Sequence, residues 1–180
     1  MYGIVNKAIE ELVIANFGHE KWLSVKKASG VEQDFFISNE PYDDDVTFRL
    51  AQAVSIEMSM SLEEVLIAFG QWWVVKTTQD RYADLMQSGG DNLKEFLLNL
   101  PMFHNRVMLL YPKLTPPEFR ITHVTESGLY LHYISQRQGL IDFVRGLIEG
   151  LGIIYKTQIS IELIQQNTQG EPYEIFKLSW

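Results

Sequence analysis

Two features of the sequence could together bind a ligand. One is His104, and the other is the run Tyr133-Ile134-Ser135-Gln136-Arg137, which begins 29 residues further along. Alternate residues of a β-strand point to one face of its sheet, so Tyr133, Ser135 and Arg137 would present two hydroxyl groups and a guanidinium group in a row. At about 3.3 Å per residue this row spans roughly 13 Å. A row of donors of that length suits an anion with two separated negative groups better than a single phosphate. Haem, with its two propionates, is such an anion, and His104 could ligate its iron.

Each of these signals has a plainer interpretation when it is taken alone. The Tyr-x-Ser-x-Arg pattern also fits an ordinary strand edge that faces solvent. His104 has Leu100, Val107 and Met108 at helical spacing, so it is predicted to face an apolar environment. A lone histidine on an apolar face is usually a core residue whose ring nitrogens are satisfied by hydrogen bonds. The metal-ligand interpretation is the less common one, but it would explain why a polar ring is buried where no carboxylate lies close in the sequence to hold it.

Composition and charge exclude several classes of function. The 180 residues include 23 acidic and 15 basic side chains, for a net charge of −8, and such a chain would repel DNA and RNA. It has no cysteine, which excludes disulfides, zinc–thiolate sites, thiolate-ligated haem and covalently attached haem. No apolar run approaches the roughly 20 residues that span a bilayer, and the N-terminus lacks the pattern of a signal peptide. The cytoplasm is therefore the expected compartment.

The other three histidines and the remaining motifs offer no catalytic site. His19 follows Gly18 and is expected at the C-terminal end of a helix, whereas His123 and His132 are expected on the surface of a sheet. The chain has no Gly-x-Ser-x-Gly, no His-Glu-x-x-His and no glycine-rich phosphate loop after a strand. We therefore expect that the protein is not an enzyme.

The first two-thirds of the chain have helical periodicity. Ser61 with Glu64 forms a predicted capping box, and the acidic run 43–45 is interpreted as the N-terminal charge of a helix rather than a metal site. Asp91 is predicted to cap the helix that follows Gly89-Gly90. Helices are predicted over residues 4–13, 20–28, 47–57, 62–77 and 92–100.

The last third of the chain has strand-like patterns instead. Pro116-Pro117 ends the helical region, and Ser127-Gly128 is predicted to be a turn between two strands. The predicted strands are Phe119–Val124, Leu129–Ser135, Tyr155–Ile164 and Glu174–Leu178, with a helix over Gly139–Leu151 and a turn at Asn167–Gly170. This order predicts an α+β fold, in which a helical N-terminal half precedes a four-stranded antiparallel sheet with a crossing helix.

Several separate pieces of the chain together resemble the haem nitric oxide/oxygen-binding (H-NOX) family, whose best-known relative is the haem domain of soluble guanylate cyclase. The resemblance covers essentially the whole chain, and His104 with Tyr-x-Ser-x-Arg at this spacing is its specific part. The matching residues are Met1 to Asn6, Tyr42-Asp43-Asp44, Ala68-Phe69-Gly70, Asn92 to Leu97, His104, Tyr111-Pro112, Pro116-Pro117, Leu131-His132-Tyr133, and Ser135-x-Arg137-x-Gly139-Leu140.

The resemblance implies a role for each of these site residues. His104 is implied to be the proximal ligand of the iron, and Tyr133, Ser135 and Arg137 are implied to bind the haem propionates. Pro117 and Val5 are implied to press on the porphyrin and bend it. The distal wall is implied to consist of Tyr2, Trp73, Phe143 and Leu147. Phe103 is also implied to contact haem. The implied arrangement is a single domain over residues 1–180, with haem b buried between a distal helical subdomain (about 1–65) and a proximal subdomain (about 66–180).

The distal wall is expected to decide which gas binds. Phe143 lies where oxygen-binding members of the family have a tyrosine, and a phenyl ring offers no hydrogen bond to bound O2. Nitric oxide binds ferrous haem without that help, so a sensor of NO, which would also bind CO, is expected. The indole N–H of Trp73 leaves open an O2-binding sensor or carrier. A haem-free interaction module and a peroxidase-like enzyme are further alternatives.

Signal output is also implied only by the resemblance. NO is implied to release the bond between iron and His104, after which a separate protein, such as a histidine kinase or a diguanylate cyclase, would recognise the changed surface. A separate partner is expected because the 180 residues contain no catalytic domain.

Overall fold

The computed structural model describes residues 1–166 and 173–180, which form a helical N-terminal part and a C-terminal sheet with one crossing helix. The helical part comprises α1 (Gly3–Phe17), α2 (His19–Ser29), α3 (Asp44–Met58), α4 (Leu62–Trp72), a π-helical segment (Trp73–Thr78), α5 (Gln79–Gln87) and α6 (Leu93–Leu110). The C-terminal part comprises β1 (Glu118–Thr122), β2 (Gly128–Ile134), α7 (Ile141–Ile154), β3 (Ser160–Gln165) and β4 (Tyr173–Ser179). The four strands are antiparallel in the order β1-β2-β4-β3, which confirms the predicted α+β fold. None of the described helices is both long and apolar enough to cross a membrane.

The first helices form where they were predicted, although α1 extends to Phe17 rather than residue 13 and α3 begins at Asp44 rather than residue 47. The backbone N–H of Glu64 donates to Ser61 Oγ at 3.1 Å, and Ser61 N–H donates to Glu64 Oε2 at 2.8 Å, so the capping box is confirmed. Asp44 and Asp45 lie in the first turn of α3, where their charge favours the helix dipole. Gly18, at φ +86°, separates α1 from α2.

Two hydrophobic cores form, one from buried residues between Ala8 and Phe69 and the other from buried residues between Val74 and Leu178. The first core joins α1 to α4 and fully buries side chains such as Val13, Phe36 and Leu50. The second core joins α6, α7 and the sheet, and it fully buries Leu97 and Phe176. Trp73 packs against both cores and therefore lies where they meet.

Helices α4 and α7 cross with their backbones in direct contact. A Cβ atom on Gly146 would overlap the carbonyl group of Ile67, and a Cβ atom on Gly70 would lie 2.7 Å from the backbone nitrogen of Leu147. Only glycine permits this approach, because a real Cβ atom does not occur within 3.0 Å of backbone atoms. The two glycines thus fix the distance between the two helices.

Helix α6 differs from the prediction at both ends. Its N-cap is Asn92, whose side chain accepts from Glu95 N–H at 2.9 Å, rather than Asp91. It also continues to Leu110 instead of ending at Leu100, with Pro101 in its interior. Proline removes one backbone hydrogen bond but does not remove the others, so the helix continues past it.

Two further helical predictions were wrong. The helix predicted to reach residue 77 ends at Trp72, and the chain continues as the π-helical segment and then as α5. A π-helix has the same apolar residues but a wider turn, so periodicity alone does not distinguish it. His19 was expected at the end of α1 but is the first residue of α2, because Gly18 has already ended α1.

The strand boundaries also differ from the prediction. β1 ends at Thr122 rather than Val124, because His123 adopts a left-handed φ of +50°. β2 begins at Gly128, a residue predicted to be in the turn. β3 begins at Ser160, not Tyr155, since Tyr155 still caps α7. The predicted turn at Asn167–Gly170 lies outside the described residues.

The predicted row of donors along one strand was also wrong. β2 ends at Ile134, so Tyr133 lies in the strand whereas Ser135 and Arg137 lie in the irregular segment after it. The Ser135 and Arg137 side chains therefore do not follow the alternating directions of a strand, and the irregular backbone after β2 sets their directions instead.

Gly146→Ala should destabilise the protein, because the added methyl group forces α4 and α7 apart. We expect a loss of about 1–3 kcal/mol in the free energy of unfolding, measured by chemical denaturation. Arg145→Ala is the matched control on the exposed side of α7 and should change this value by about 0.5 kcal/mol or less. Equal losses in both variants would contradict the close contact at Gly146.

Candidate functional site

A cavity of about 250 Å³ lies where the two hydrophobic cores meet. Its lining is mostly apolar and comes from the N-terminal helices, α6, α7 and the sheet. The structure places all of the predicted site residues along it: Tyr2, Val5, Trp73, Phe103, His104, Pro117, Tyr133, Ser135, Arg137, Phe143 and Leu147. Residues that the sequence separates by more than a hundred positions are therefore brought to one site.

His104 lies on the face of α6 that borders this cavity. Its Nδ1 is 3.0 Å from the carbonyl oxygen of Leu100, one helical turn earlier. A carbonyl oxygen only accepts hydrogen bonds, so Nδ1 carries the proton and Nε2 keeps its lone pair. Burial lowers the pKa of His104, although the Leu100 carbonyl acts in the opposite direction, and the ring is neutral at pH 7. A neutral imidazole with one nitrogen held and the other available is suited to metal ligation.

Tyr133 and Ser135 supply hydroxyl donors at the sheet side of the cavity. Tyr133 is only 3% exposed, and burial raises its pKa, so its hydroxyl group keeps its proton. Ser135 Oγ accepts a hydrogen bond from the backbone N–H of Arg137 at 3.0 Å, and its side chain is also hydrogen-bonded to that of Tyr133. Two hydroxyl groups that share one hydrogen bond keep one proton to donate, so this pair can bind a carboxylate.

Arg137 is held in place and still has donors to offer. Its Nε donates to Asp44 Oδ2 at 2.6 Å, and its Nη1 and Nη2 donate to the carbonyl and hydroxyl oxygens of Thr115 at 2.6 and 3.1 Å. A guanidinium group has five N–H donors, so five less these three leaves two, one on each terminal nitrogen. Each terminal nitrogen can therefore donate one further, charge-assisted hydrogen bond to a carboxylate.

Asp44 was interpreted from the sequence only as helix-capping charge, and its second role was missed. Besides Arg137, it accepts a hydrogen bond from the Met1 amino group at 2.5 Å. Burial alone would raise the pKa of Asp44, but these hydrogen bonds and the two positive charges hold its pKa below the ordinary value. The carboxylate thus connects α3 of the first core to the segment after β2.

Three tyrosines form a second polar group in the lining, of which only Tyr2 was predicted. The hydroxyl groups of Tyr82 and Tyr111 are hydrogen-bonded to each other, and burial is the main cause that raises the pKa of Tyr82. The ring of Tyr2 packs edge-on against Tyr111, with centroids 4.8 Å apart, and its hydroxyl accepts from Lys113 N–H at 3.0 Å. No local pattern in the sequence links Tyr82 to Tyr111, which lie 29 positions apart.

The wall formed by α1, α4 and α7 is apolar. Phe143 lies 4.9 Å from Phe69, and Phe69 lies edge-on to Trp73 at 6.3 Å, measured between ring centroids. Three threonines also line the cavity. Thr115 accepts a hydrogen bond from Arg137, and the hydroxyl protons of the other two are already used. Thr47 Oγ1 donates to Asn6 Oδ1 at 2.6 Å, and Thr78 Oγ1 donates to the Val74 carbonyl at 2.7 Å.

These features together fit haem. A neutral imidazole nitrogen is available for iron, hydroxyl and guanidinium donors are available for propionates, and aromatic and aliphatic side chains surround the rest of the cavity.

The pKa of Asp44 should rise in Arg137→Gln, because a positive neighbour and a hydrogen bond are lost. In the native protein it should lie below the ordinary value of about 3.9. A carboxylate with a lowered pKa stabilises the folded state above that ordinary value, and this contribution is lost as the pH falls through the lowered pKa. Side-chain NMR titration measures the change. Arg120→Gln, on the sheet, should leave the Asp44 pKa unchanged, and an unchanged value in Arg137→Gln would contradict the ion pair.

The chain matches the Haem-NO-binding family over residues 2–163. It is 26% identical over 182 residues to soluble guanylate cyclase gcy-33 of Caenorhabditis elegans, which covers 100% of this chain and 19% of the relative. It is 30% identical over 173 residues to gcy-34 of the same organism, covering 94% of this chain and 25% of the relative. The chain thus spans about a fifth to a quarter of the length of these curated relatives.

Solved structures share the fold. An H-NOX protein from S. oneidensis in the Fe(II)NO state superposes with a TM-score of 0.89 at 21% identity, covering 99% of this chain and 98% of that one. An unliganded Fe(II) H-NOX variant from K. algicida gives a TM-score of 0.87 at 22% identity, covering 99% and 96%. Together with the family match over nearly the whole chain, this shows that the protein belongs to the Haem-NO-binding (H-NOX) family, whose domains bind haem and sense diatomic gases rather than catalyse reactions.

Proposed function

We propose that this protein is a nitric oxide sensor that holds a ferrous haem b through His104 and signals to a partner protein. The observation that carries the proposal is the state of the His104 ring. Its Nδ1 proton is committed to the Leu100 carbonyl, so Nε2 is a neutral ligand at the border of an apolar cavity.

The same cavity offers a partner for each polar group of haem. Arg137 has two uncommitted N–H donors, and the Tyr133–Ser135 pair keeps one hydroxyl proton to donate to the propionates. Pro117 and Val5 also line the cavity and would press on the porphyrin. Because the sequence has no cysteine, the haem would be held without covalent attachment, as haem b is. When bound, ferrous haem supplies the open coordination position at which a diatomic gas binds.

The apolar wall favours NO and CO over O2. Phe143 has no donor, and the hydroxyl protons of Thr47 and Thr78 are used within the protein. Bound O2 carries more negative charge than bound NO or CO and depends more on a hydrogen-bond donor. Phe143 and these two threonines therefore supply no proton to bound O2, which disfavours O2. The Tyr2 hydroxyl group lies against the backbone N–H of Lys113.

A second candidate function is an O2-binding sensor or carrier. Trp73 lines the same cavity, and its indole N–H is a donor. Trp73 is thus the side chain on which the choice between the two functions depends.

The output is proposed to pass to a signalling partner. A separate histidine kinase or diguanylate cyclase is the partner class that we favour, with the protein in the cytoplasm. The curated relatives are themselves guanylate cyclases, which suggests a cyclase as the alternative recipient of the signal.

His104→Gly should abolish histidine ligation of haem while the fold is kept. Added imidazole should then restore the ferrous absorption spectrum, because the free base can occupy the space of the lost side chain. Spectra of the reduced variant with and without imidazole measure this.

His132→Ala is the control for that experiment, since His132 lies on β2 and its Nε2 is bound to Thr122 Oγ1 at 2.8 Å. It should leave the spectrum unchanged. Histidine ligation that persists in His104→Gly without imidazole would show that another residue holds the iron.

Phe143→Tyr should increase the affinity for O2, because a phenol in this wall can donate a hydrogen bond. One such bond in a dry cavity is worth on the order of 1–3 kcal/mol, or about 5- to 150-fold in affinity. The reduced native protein should bind NO and keep its spectrum when air is admitted.

Trp73→Phe distinguishes the alternative function. If the native protein does form a stable complex in air, loss of that complex in Trp73→Phe would assign O2 binding to the indole. If neither the native protein nor Phe143→Tyr binds O2, Phe143 does not face the gas.

A further inference from the structure

The residues of α4, the π-helical segment and α5 that line the cavity are not evenly spaced. Leu66, Phe69 and Trp73 follow one another at steps of three and four residues, as one face of an α-helix requires. The next lining residue, Thr78, comes after a step of five, and Tyr82 follows after a step of four. The single long step lies within the π-helical segment.

A regular α-helix would not bring these residues to one side. At about 100° per residue, Thr78 would lie about 140° around the helix axis from Trp73, and Tyr82 about 180°. Thr77 and Arg81 would face the cavity instead, at about 40° and 80° from Trp73. The wider turn of the π-helix, whose hydrogen bonds join residues five apart, removes this offset. The π-helical segment is therefore equivalent to one inserted residue that keeps the chain on both sides of it facing the cavity.

The position of Arg81 agrees with this geometry. Arg81 is exposed, and its Nη2 donates to Glu11 Oε1 of α1 at 2.6 Å. In a continuous α-helix its guanidinium group would turn toward the apolar cavity, where an unpaired charge is costly to bury. The π-helical segment thus keeps a charge out of the cavity and brings in Tyr82, whose hydroxyl group is hydrogen-bonded to that of Tyr111.

Helix α7 fixes the chain before the long step. The close contacts of Gly70 and Gly146 hold α4 against α7, and a Cβ atom on Gly150 would lie 2.8 Å from Val74 Cβ. The start of the π-helical segment is therefore packed on α7 as α4 is. The rotation that the extra residue causes falls on the residues after Val74, and not on Trp73 or α4.

Two adjacent threonines of the segment differ in how they use their hydroxyl groups. In an α-helix the Val74 carbonyl would accept from the backbone N–H of Thr78, but π-helical bonding directs that N–H to Trp73. The Oγ1 of Thr78 donates to the Val74 carbonyl at 2.7 Å in its place. Thr77 is also buried, yet its Oγ1 has no hydrogen-bond partner among the residues that the structure describes. Thr78 is thus the threonine whose hydroxyl group holds the wider turn.

We propose that the π-helical segment determines which face of α5 lines the cavity, and that Thr78 is the positioning residue that holds this segment. The inference deepens the proposed function and rests on it in one respect, because residues that face the cavity would face haem and its bound gas. The spacing of the lining residues, the ion pair of Arg81 and the hydrogen bond of Thr78 are features of the protein alone.

Deletion of one residue tests whether the segment contains one inserted residue. Lys76 is exposed, and its deletion should leave a continuous α-helix with Trp73, Thr78 and Tyr82 at steps of four. Deletion of Gln52, an exposed residue of the regular helix α3, is the matched control and should turn one half of that helix by about 100° against the first core. The protein without Lys76 should keep the native circular dichroism spectrum and haem content, whereas the protein without Gln52 should lose both. Equal behaviour of the two deletion variants would overturn the proposal.

Substitution of the two threonines tests the role of Thr78. Thr78→Val removes the hydroxyl group at nearly constant volume, and it should speed amide hydrogen exchange of residues 78–87 about fivefold, as expected for one neutral hydrogen bond. Thr78→Ser should keep the native rate, because serine retains the hydroxyl group. Thr77→Val is the matched control and should exchange within about twofold of native, since no described residue bonds to that hydroxyl group.

A combined variant separates positioning from ordinary stabilisation. In the protein without Lys76 there is no wider turn to hold, so Thr78→Val should cause no further increase in exchange. An increase that persists there, or a native rate in Thr78→Val alone, would contradict the positioning role. If Thr78→Val alone does not fold, recovery of folding in the combined variant supports that role, and failure to recover overturns it. Absorption spectra test the proposed function separately, because a native protein that binds no NO would overturn that function whatever the deletions show.

Discussion

The backbone contact between α4 and α7 is the constraint on which the site depends. Gly70 and Gly146 let the two helices touch, and a Cβ atom on Gly150 would lie 2.8 Å from Val74 Cβ, which extends the contact into the π-helical segment. Trp73 lies immediately after α4, and Phe143 lies on the facing part of α7. Trp73 and Phe143 therefore reach the same cavity only because glycines at the contact let α4 and α7 approach each other closely.

Polar contacts at the cavity join the two cores in addition to the packing of α4 on α7. Asp44 on α3 binds Arg137, and Arg137 in turn binds Thr115, so one guanidinium group connects three segments. The Asp44 and Arg137 side chains are 35% and 23% exposed, so water weakens their attraction and the pair contributes modestly to stability. The close packing of α4 on α7 is therefore the stronger connection between the two cores, and the ion pair adds a directional contact at the edge of the cavity.

The sequence was sufficient for features that depend on near neighbours and on the family resemblance. The capping pair Ser61 and Glu64 and the α+β order follow from local chemistry, and the resemblance identified every predicted residue that lines the cavity. Features that depend on contacts between distant residues were not predictable. Arg137 lies outside β2 because it must turn to reach Thr115 and Asp44, and nothing local to Arg137 indicates those partners. The sequence also does not predict the change from α-helix to π-helix after Trp72, because both kinds of helix contain the same residue types.

The donors of the cavity are divided between two places, and this division has a consequence for gas selectivity. Arg137 and the Tyr133–Ser135 pair keep protons to donate beside the sheet, whereas Thr47 and Thr78 donate theirs to neighbouring protein groups. The indole N–H of Trp73 is a further donor in the lining. Because Trp73 is the first residue of the π-helical segment, the backbone geometry of that segment sets the direction of its side chain. A helix that stayed regular beyond Trp72 would rotate the following residues relative to α7. Under the proposed function, gas selectivity would therefore depend on the same contact between α4 and α7 that builds the apolar wall.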